Sequence, residues 1–199
     1  LLSIYERLTP NAVPITIPIG HEQEHEGVID LMRMKAVYFR GDHGEEIELA
    51  DIPEHLSEYA NEWRHKMVEK IAEADDTLTD KYLEGKECTR EELKRVLRHA
   101  TITYKLVPVF AGSALKNKGV QLVLDGVVDY LPSPVDLPPV RGVNENGEEE
   151  FREVKDDVPF SALAFKLQTD PYVGQLTFFR VYSGTLKAGS YVLNSTKND

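Results

Sequence analysis

The chain of 199 residues is poor in several residue types, and each shortage excludes something. Its single cysteine, Cys88, cannot form an internal disulfide, which fits a reducing compartment. With 23 Lys+Arg against 34 Asp+Glu, the net charge of −11 argues against non-specific wrapping of nucleic acid, because that affinity comes from cations that neutralise phosphates. No apolar run approaches the roughly 18 residues that span a bilayer, and no basic segment of a signal peptide is present. We therefore expect a cytoplasmic protein without a membrane segment.

The composition, at 41% hydrophobic and 29% charged residues, is that of an ordinary globular protein. The first residue is Leu1 rather than Met, and the last residues follow a strand-like run. We therefore expect the sequence to be a piece of a longer protein.

The first fifty residues predict a short helix followed by strands. Residues 1–10 resemble the end of a helix, and the prolines of residues 12–19 permit only an edge strand. Residues 27–34 and 35–39 are predicted strands. Gly41-Asp42-His43-Gly44 supplies turn residues for a hairpin into residues 46–49.

The period then changes to that of helices. One apolar stripe predicts a long helix after Pro53, with a solvated opposite face; the stripe is Leu56, Tyr59, Trp63, Met67 and Ile71. A shorter helix is predicted over 79–84. Thr89 and Glu92 form a capping box, which opens a third helix with an apolar face of Leu93, Val96, Leu97 and Ala100.

The remaining sequence predicts half of a βαβ unit and then a change of class. Residues 105–111 are an apolar run typical of a strand buried on both faces, and a helix follows with the stripe Val120, Val123, Leu124, Val127 and Leu131. Residues 132–157, rich in proline and acidic side chains, predict a linker. Strand-like alternation at 160–167 and 174–182, and hairpin spacing at 183–191, predict an all-β segment.

Two motifs are candidates for chemistry. His21-Glu22-Gln23-Glu24-His25 formally matches the zinc-protease pattern, but the flanking Pro18, Gly20 and Gly27 disfavour the required helix, so an exposed polar loop is the better interpretation. The loop Gly112–Asn117 lies between a strand and a helix, where open α/β sheets bind ligands. An ordinary connecting loop remains the alternative on this pattern alone.

Four segments together resemble a known family. The chain is similar to bacterial translation elongation factor G, a translational GTPase, through the segments Ile17–Leu31 (IPIGHEQEHEGVIDL), Asp76–Glu87 (DTLTDKYLEGKE), Gly112–Pro134 (GSALKNKGVQLVLDGVVDYLPSP) and Phe165–Asn194. The family usually has Ala and Phe where this chain has His21 and His25, which removes the force of the protease motif.

The resemblance implies a layout. Residues 1–135 are the C-terminal part of a P-loop GTPase domain, including a small α+β insertion, called G′, over about 11–103. Residues 136–199 are the first half of a β-barrel, domain II. The fold class is therefore a mixture of α+β and α/β, with a partial barrel.

The resemblance also implies a site and its cofactors. Ser113, Ala114 and Leu115 would form the motif whose backbone amides contact the guanine O6. GTP or GDP with Mg²⁺ would be bound by the full-length protein. This chain has no P-loop, no switch segments and no N-K-x-D motif, so we predict that it has no catalytic or metal-binding residue and neither binds nor hydrolyses GTP by itself.

For partners, the resemblance implies the ribosome: stalk protein L7/L12 through G′, and ribosomal RNA in the full-length protein, but neither membrane nor DNA. The full-length activity would be GTP hydrolysis coupled to translocation of tRNA and mRNA. Alternatives are a paralogous translational GTPase (ribosome-protection type or mitochondrial) and a non-catalytic stalk-binding module. We predict that helices 54–74 and 89–100 face the stalk through Arg64, Lys66, Lys70, Lys94, Arg95 and Arg98.

Overall fold

A computed structural model describes residues 2–41, 43–144 and 146–197. The chain divides into two compact units, Leu1–Leu131 and Pro132–Asp199. Each is described by itself.

The first unit begins with a short helix and a parallel strand pair. Helix α1 (Leu2–Arg7) confirms the predicted helix, and β1 (Ala12–Pro14) pairs in parallel with β6 (Val107–Val109). Main-chain bonds continue the pairing on both sides, because Val107 N–H donates to Asn11 O at 3.0 Å and Ile15 N–H donates to Val109 O at 2.8 Å. The chain between β1 and β6 thus leaves and returns at one place.

An antiparallel sheet follows, in the order β2 (Thr16–Ile19), β3 (Gly27–Asp30), β4 (Lys35–Arg40) and β5 (Glu46–Ala50). The edge position of β2 and the hairpin from β4 to β5 confirm the predictions, although Asp42 in that turn lies outside the described residues.

The strand predicted over 27–34 is wrong beyond Asp30. The Asp30 carboxylate accepts from the N–H groups of Met32, at 2.8 Å, and Arg33, at 3.0 Å, and so turns the chain before β4.

Three helices cover one face of this sheet: α2 (Glu54–Ala72), α3 (Asp76–Leu83) and α4 (Arg90–Ile102). Helix α3 begins earlier than predicted because the Asp75 side chain accepts from Leu78 N–H at 2.9 Å and caps it. The predicted capping box of α4 is confirmed. Its Glu92 carboxylate also binds Lys81 Nζ at 2.7 Å, and Lys81 together with Thr89 lowers the pKa of Glu92 to about 2.

Helix α2 buries Ala60, Met67 and Ile71, whereas Tyr59, predicted in the buried stripe, is 44% exposed. The opposite correction applies to Arg64. The periodicity predicts a solvated side chain there, but its guanidinium donates to Leu31 O at 2.6 Å. A long cationic side chain on this side of the helix satisfies a carbonyl in the β3–β4 turn that an apolar residue would leave unpaired.

Strand β6 and helix α5 (Val120–Tyr130) correct two further predictions. Val107 is 46% exposed, so β6 is not buried on both faces; within the described residues it pairs with β1 alone. Helix α5 buries Leu122, Gly126 and Tyr130, and its predicted stripe is largely exposed at Val123, Leu124, Val127 and Leu131.

The orientation of α5 follows from a close approach. A Cβ on Gly126 would lie 2.4 Å from the Phe110 ring, so only glycine lets this helix pack against that ring. Because α5 is apolar on most sides, periodicity alone does not identify the packed face.

The four-stranded sheet is buried on both faces. One face, including Ile17 and Ile29, packs with α2, α3 and α4 in the larger cluster. The alternate residues Val28, Val37 and Phe39 pack with Leu122 of α5. The sheet is therefore the layer that joins the helices to the strand–loop–helix at 107–130.

The second unit contains two hairpins. β7 (Val140–Val143) and β8 (Glu149–Arg152) pair within the predicted linker, which corrects that prediction. The cause is turn chemistry, because the Asn144 side chain accepts from the N–H groups of Asn146 and Glu148 at 2.9 and 3.0 Å.

The alternation at 160–182 is confirmed as β9 (Ser161–Asp170) and β10 (Gly174–Ser183). The predicted hairpin over 183–191 is wrong, since residues 184–197 contain no strand. In the described part of this unit no apolar side chain is buried, and the strands form no closed barrel.

The architecture is thus mixed α+β with small sheets, as predicted. In the part of the chain that the structure describes, no helix combines the length and apolarity that a membrane crossing requires.

Replacing Arg64 with alanine should lower the free energy of unfolding by about 2 kcal/mol, because a charged donor to a buried carbonyl is lost. Lys66→Ala, on the same helix but 51% exposed at its side chain, should change it by less than about 0.5 kcal/mol. Urea unfolding of the two variants and the parent measures the difference. Equal effects would contradict the assigned role of Arg64.

Candidate functional site

The candidate site is the loop between β6 and α5, which closes on itself. Ser113 N–H donates to Lys118 O at 2.8 Å, and Lys118 N–H donates to Ser113 O at 3.0 Å. Gly119 follows with φ of 84°, and a Cβ there would lie 2.8 Å from Ala111 O. Only glycine allows the chain to turn this tightly into α5.

The three predicted site residues differ in what their amides do. The Ser113 N–H is used inside the loop, in its bond to Lys118 O. The N–H groups of Ala114 and Leu115 meet no acceptor among the described residues, and the Leu115 side chain is 96% exposed. Two adjacent donors are therefore open to an acceptor from outside the loop.

The loop is held against the β2–β5 sheet by side chains that the sequence patterns did not single out. Lys118 Nζ donates to His25 O at 2.7 Å, Asn117 Nδ2 to His43 O at 2.9 Å, and Gln121 Nε2 to Gly44 O at 3.1 Å. All three acceptors are main-chain oxygens, so no residue type at positions 25, 43 or 44 signals the pairing. The Ala111 N–H also donates to Thr16 Oγ1 at 2.8 Å.

The segment with the protease-like motif is not an α-helix. His21 and His25 flank a 3-10 helix, Glu22–Glu24, so they do not lie one turn apart on one helical face. His21 is exposed, whereas His25 is 9% exposed and its Nε2 has no partner among the described groups. Within those residues, no group of three or more potential ligands could hold a metal ion.

Burial lowers the pKa of the His25 imidazole, and the charges of Lys118 and Lys116 lower it further. Cys88 is also buried, and burial raises the pKa of its thiol, which disfavours the reactive thiolate.

The predicted stalk-facing cations fall into two groups. Arg64 binds Leu31 O, Lys94 Nζ lies 2.6 Å from Asp129 Oδ2, and Arg98 donates to Asp129 O at 2.9 Å. These three hold the first unit together, and their assignment to a partner surface is corrected. The side chains of Lys66, Lys70 and Arg95 are 51%, 36% and 65% exposed.

A cavity of about 330 Å³ lies elsewhere, between the sheet, α4 and α5. Its charged lining is balanced: Arg33, Arg90 and Lys94 face Asp30, Asp125 and Asp129. No residue of the 112–119 loop lines it, so it is separate from the two open amides. We take the open amides as the candidate site, because they are donors that still lack an acceptor.

Comparison with known proteins gives two findings. Residues 159–199 match the family model described as elongation factor G domain 2. The crystal structure of a protein from Thermus thermophilus, elongation factor G-like, matches 95% of this chain with a TM-score of 0.71 and 29% identity. The chain is of the elongation factor G type.

The matched region is small relative to that structure, since the chain covers 26% of it. In this elongation factor G-type chain, the family model lies in the second unit, on β9 and β10, and the structural match extends through the loop at 112–119. The domain division near residue 135 and the roles of Ser113, Ala114 and Leu115 stay predictions.

His25 should make the stability of the first unit depend on pH. Its pKa is lower in the folded chain than the ordinary value of about 6.5, so the unfolded chain binds this proton more readily. The contribution is complete above about pH 6.5 and is lost as the pH falls towards the folded pKa.

Accordingly, His25→Phe should flatten the fall in unfolding free energy between about pH 6.5 and 5, measured by urea unfolding. His21→Ala, at the exposed end of the same turn, should keep the parent profile. Parallel profiles for His25→Phe and the parent would refute this origin of the pH dependence.

Proposed function

We propose that this chain is part of a translational GTPase in which the 112–119 loop contacts the guanine base. The observation that carries the proposal is the pair of open N–H groups at Ala114 and Leu115, on a loop closed by the Ser113–Lys118 bridge. Adjacent amide donors suit the O6 acceptor of guanine and do not suit the amino group of adenine. The elongation factor G type of the chain supports the same assignment.

The residues present fit only the base. Ala114 and Leu115 would hold O6, whereas Ser113 would act by closing the loop, because its N–H is already bonded. GTP with Mg²⁺ supplies the phosphoryl group and the metal for hydrolysis, and this sequence has neither a P-loop nor an N-K-x-D motif to hold them. The activity therefore belongs to the full-length protein, and the 199-residue chain alone is inactive.

Leu115 permits a test that removes one amide and little else. It follows Ala114 in a turn closed by Asn117 N–H to Ala114 O at 3.1 Å, a position where proline is favoured. In the full-length protein, Leu115→Pro should weaken GDP binding by about tenfold or more through loss of the donor. Leu115→Ala keeps the amide and should bind as the parent does. Calorimetric titration measures both.

The same titration on the 199-residue chain should show no GDP binding. Micromolar binding by this chain would contradict its proposed inactivity. Full-length protein that binds no guanine nucleotide would instead support a non-catalytic stalk-binding module.

We propose that the full-length protein acts in the cytoplasm on the ribosome, where GTP hydrolysis is coupled to translocation of tRNA and mRNA. The second unit would contribute domain II contacts with the small subunit. The segment between β1 and β6 would contact stalk protein L7/L12. The cations left for that contact are Lys66, Lys70 and Arg95, since Arg64, Lys94 and Arg98 hold the first unit together.

The triple change of Lys66, Lys70 and Arg95 to alanine should slow stalk-dependent GTP turnover several-fold in the full-length protein, because the remaining attraction for an acidic partner is removed. Turnover with ribosomes that carry or lack the stalk protein measures the effect. Lys35→Ala, an exposed cation on β4, is the control and should not change turnover. Unchanged turnover in the triple variant would exclude this surface.

A further inference from the structure

One short segment of chain holds the loop to the sheet at three places. Asn117, Lys118 and Gln121 reach main-chain oxygens that lie 74, 93 and 77 residues away in sequence. Their acceptors are in the connections β2–β3 and β4–β5, at His25, His43 and Gly44. The loop position therefore depends on connections of the sheet as well as on β6 and α5.

Lys118 makes the most direct of these links. Its N–H and C=O both pair with Ser113, at 3.0 and 2.8 Å, while its Nζ donates to His25 O at 2.7 Å. Ser113 is bonded covalently to Ala114, the first of the two open amides. One residue thus connects the β2–β3 connection to the donors of the candidate site.

The β4–β5 turn touches the loop main chain directly. Gly44 has φ of 65°, and a Cβ there would lie 2.9 Å from both Lys116 O and Asn117 O. Any other residue would push the turn and the loop apart. This close approach brings Gly44 O within reach of Gln121 and His43 O within reach of Asn117.

We propose that Lys118, assisted by Asn117 and Gln121, is a positioning residue through which the β2–β5 sheet sets the direction of the Ala114 and Leu115 amides. The inference rests on the proposed contact of those amides with the 6-oxo group of a guanine nucleotide. Movement of the sheet connections changes how tightly the loop holds that oxygen. Lys118 itself touches no nucleotide in this scheme.

The first measurement is hydrogen exchange in the 199-residue chain, which requires no nucleotide. Lys118→Met removes the charged donor, and exchange of the Ser113 and Lys118 N–H groups should become about tenfold faster. Lys116→Met is the matched control: it removes the same charge from the same loop, and the described residues give Lys116 no hydrogen-bond partner. Equal exchange in Lys118→Met and the parent would overturn the proposal.

The second measurement uses the full-length protein with GDP and 6-thio-GDP, whose sulfur accepts hydrogen bonds more weakly than oxygen. Lys118→Met should weaken GDP binding by about tenfold and narrow the preference for GDP over 6-thio-GDP, because the amides are no longer aimed at position 6. Lys118→Arg keeps a charged donor and should restore both values. An unchanged preference in Lys118→Met would overturn the proposal even if exchange is faster.

Failure of the proposed function is seen separately, because the parent protein would then bind no GDP before any variant is tested. If Lys118→Met does not fold, Asn117→Ala removes the exposed bond to His43 O and serves as the milder variant. It should alter the nucleotide preference in the same direction, and no change there would overturn the proposal.

Discussion

The first unit depends on the pairing of two very short parallel strands. β1 and β6 are in register from Ala12↔Val107 to Pro14↔Val109, so the 92 residues between them must begin and end side by side. A parallel pair always needs such a crossover, because its two strands run in the same direction. Here the crossover contains a whole sheet and three helices. Its folding and the placement of the 107–130 segment are consequently one problem, which the buried clusters on both sheet faces solve together.

Local signals in the sequence predicted much of this arrangement. The capping box of Thr89 and Glu92, the apolar face of α4 and the edge position of β2 all follow from residues close in sequence. The predictions that were wrong depend on distant neighbours. Helix α5 is apolar on most sides, and the contact of Gly126 with Phe110 decides which side is buried. Arg64 has the composition of a surface residue, yet a carbonyl 33 positions earlier binds it.

The candidate site shows the same division. The position of the loop at the end of a strand was predictable, and so was its glycine-bounded turn. Which amides remain open was not, because that depends on the bonds between Ser113 and Lys118. The supports of the loop were missed for a physical reason: their acceptors are main-chain oxygens, which every residue has. Charge patterns were equally ambiguous, since Lys94 and Arg98 bind the end of α5 while Arg95 between them is exposed.

The use of main-chain acceptors has a consequence for how such a protein can drift in sequence. Lys118 recognises the carbonyl of residue 25 and not its side chain. Position 25 is therefore free to exchange a ring of one chemistry for another while the loop stays anchored, and this chain has His25 where the family it resembles usually has Phe. The donors have no such freedom, because a side chain that loses its polar end loses the bond. Divergence should accumulate on the acceptor side of these contacts and leave Asn117, Lys118 and Gln121 in place.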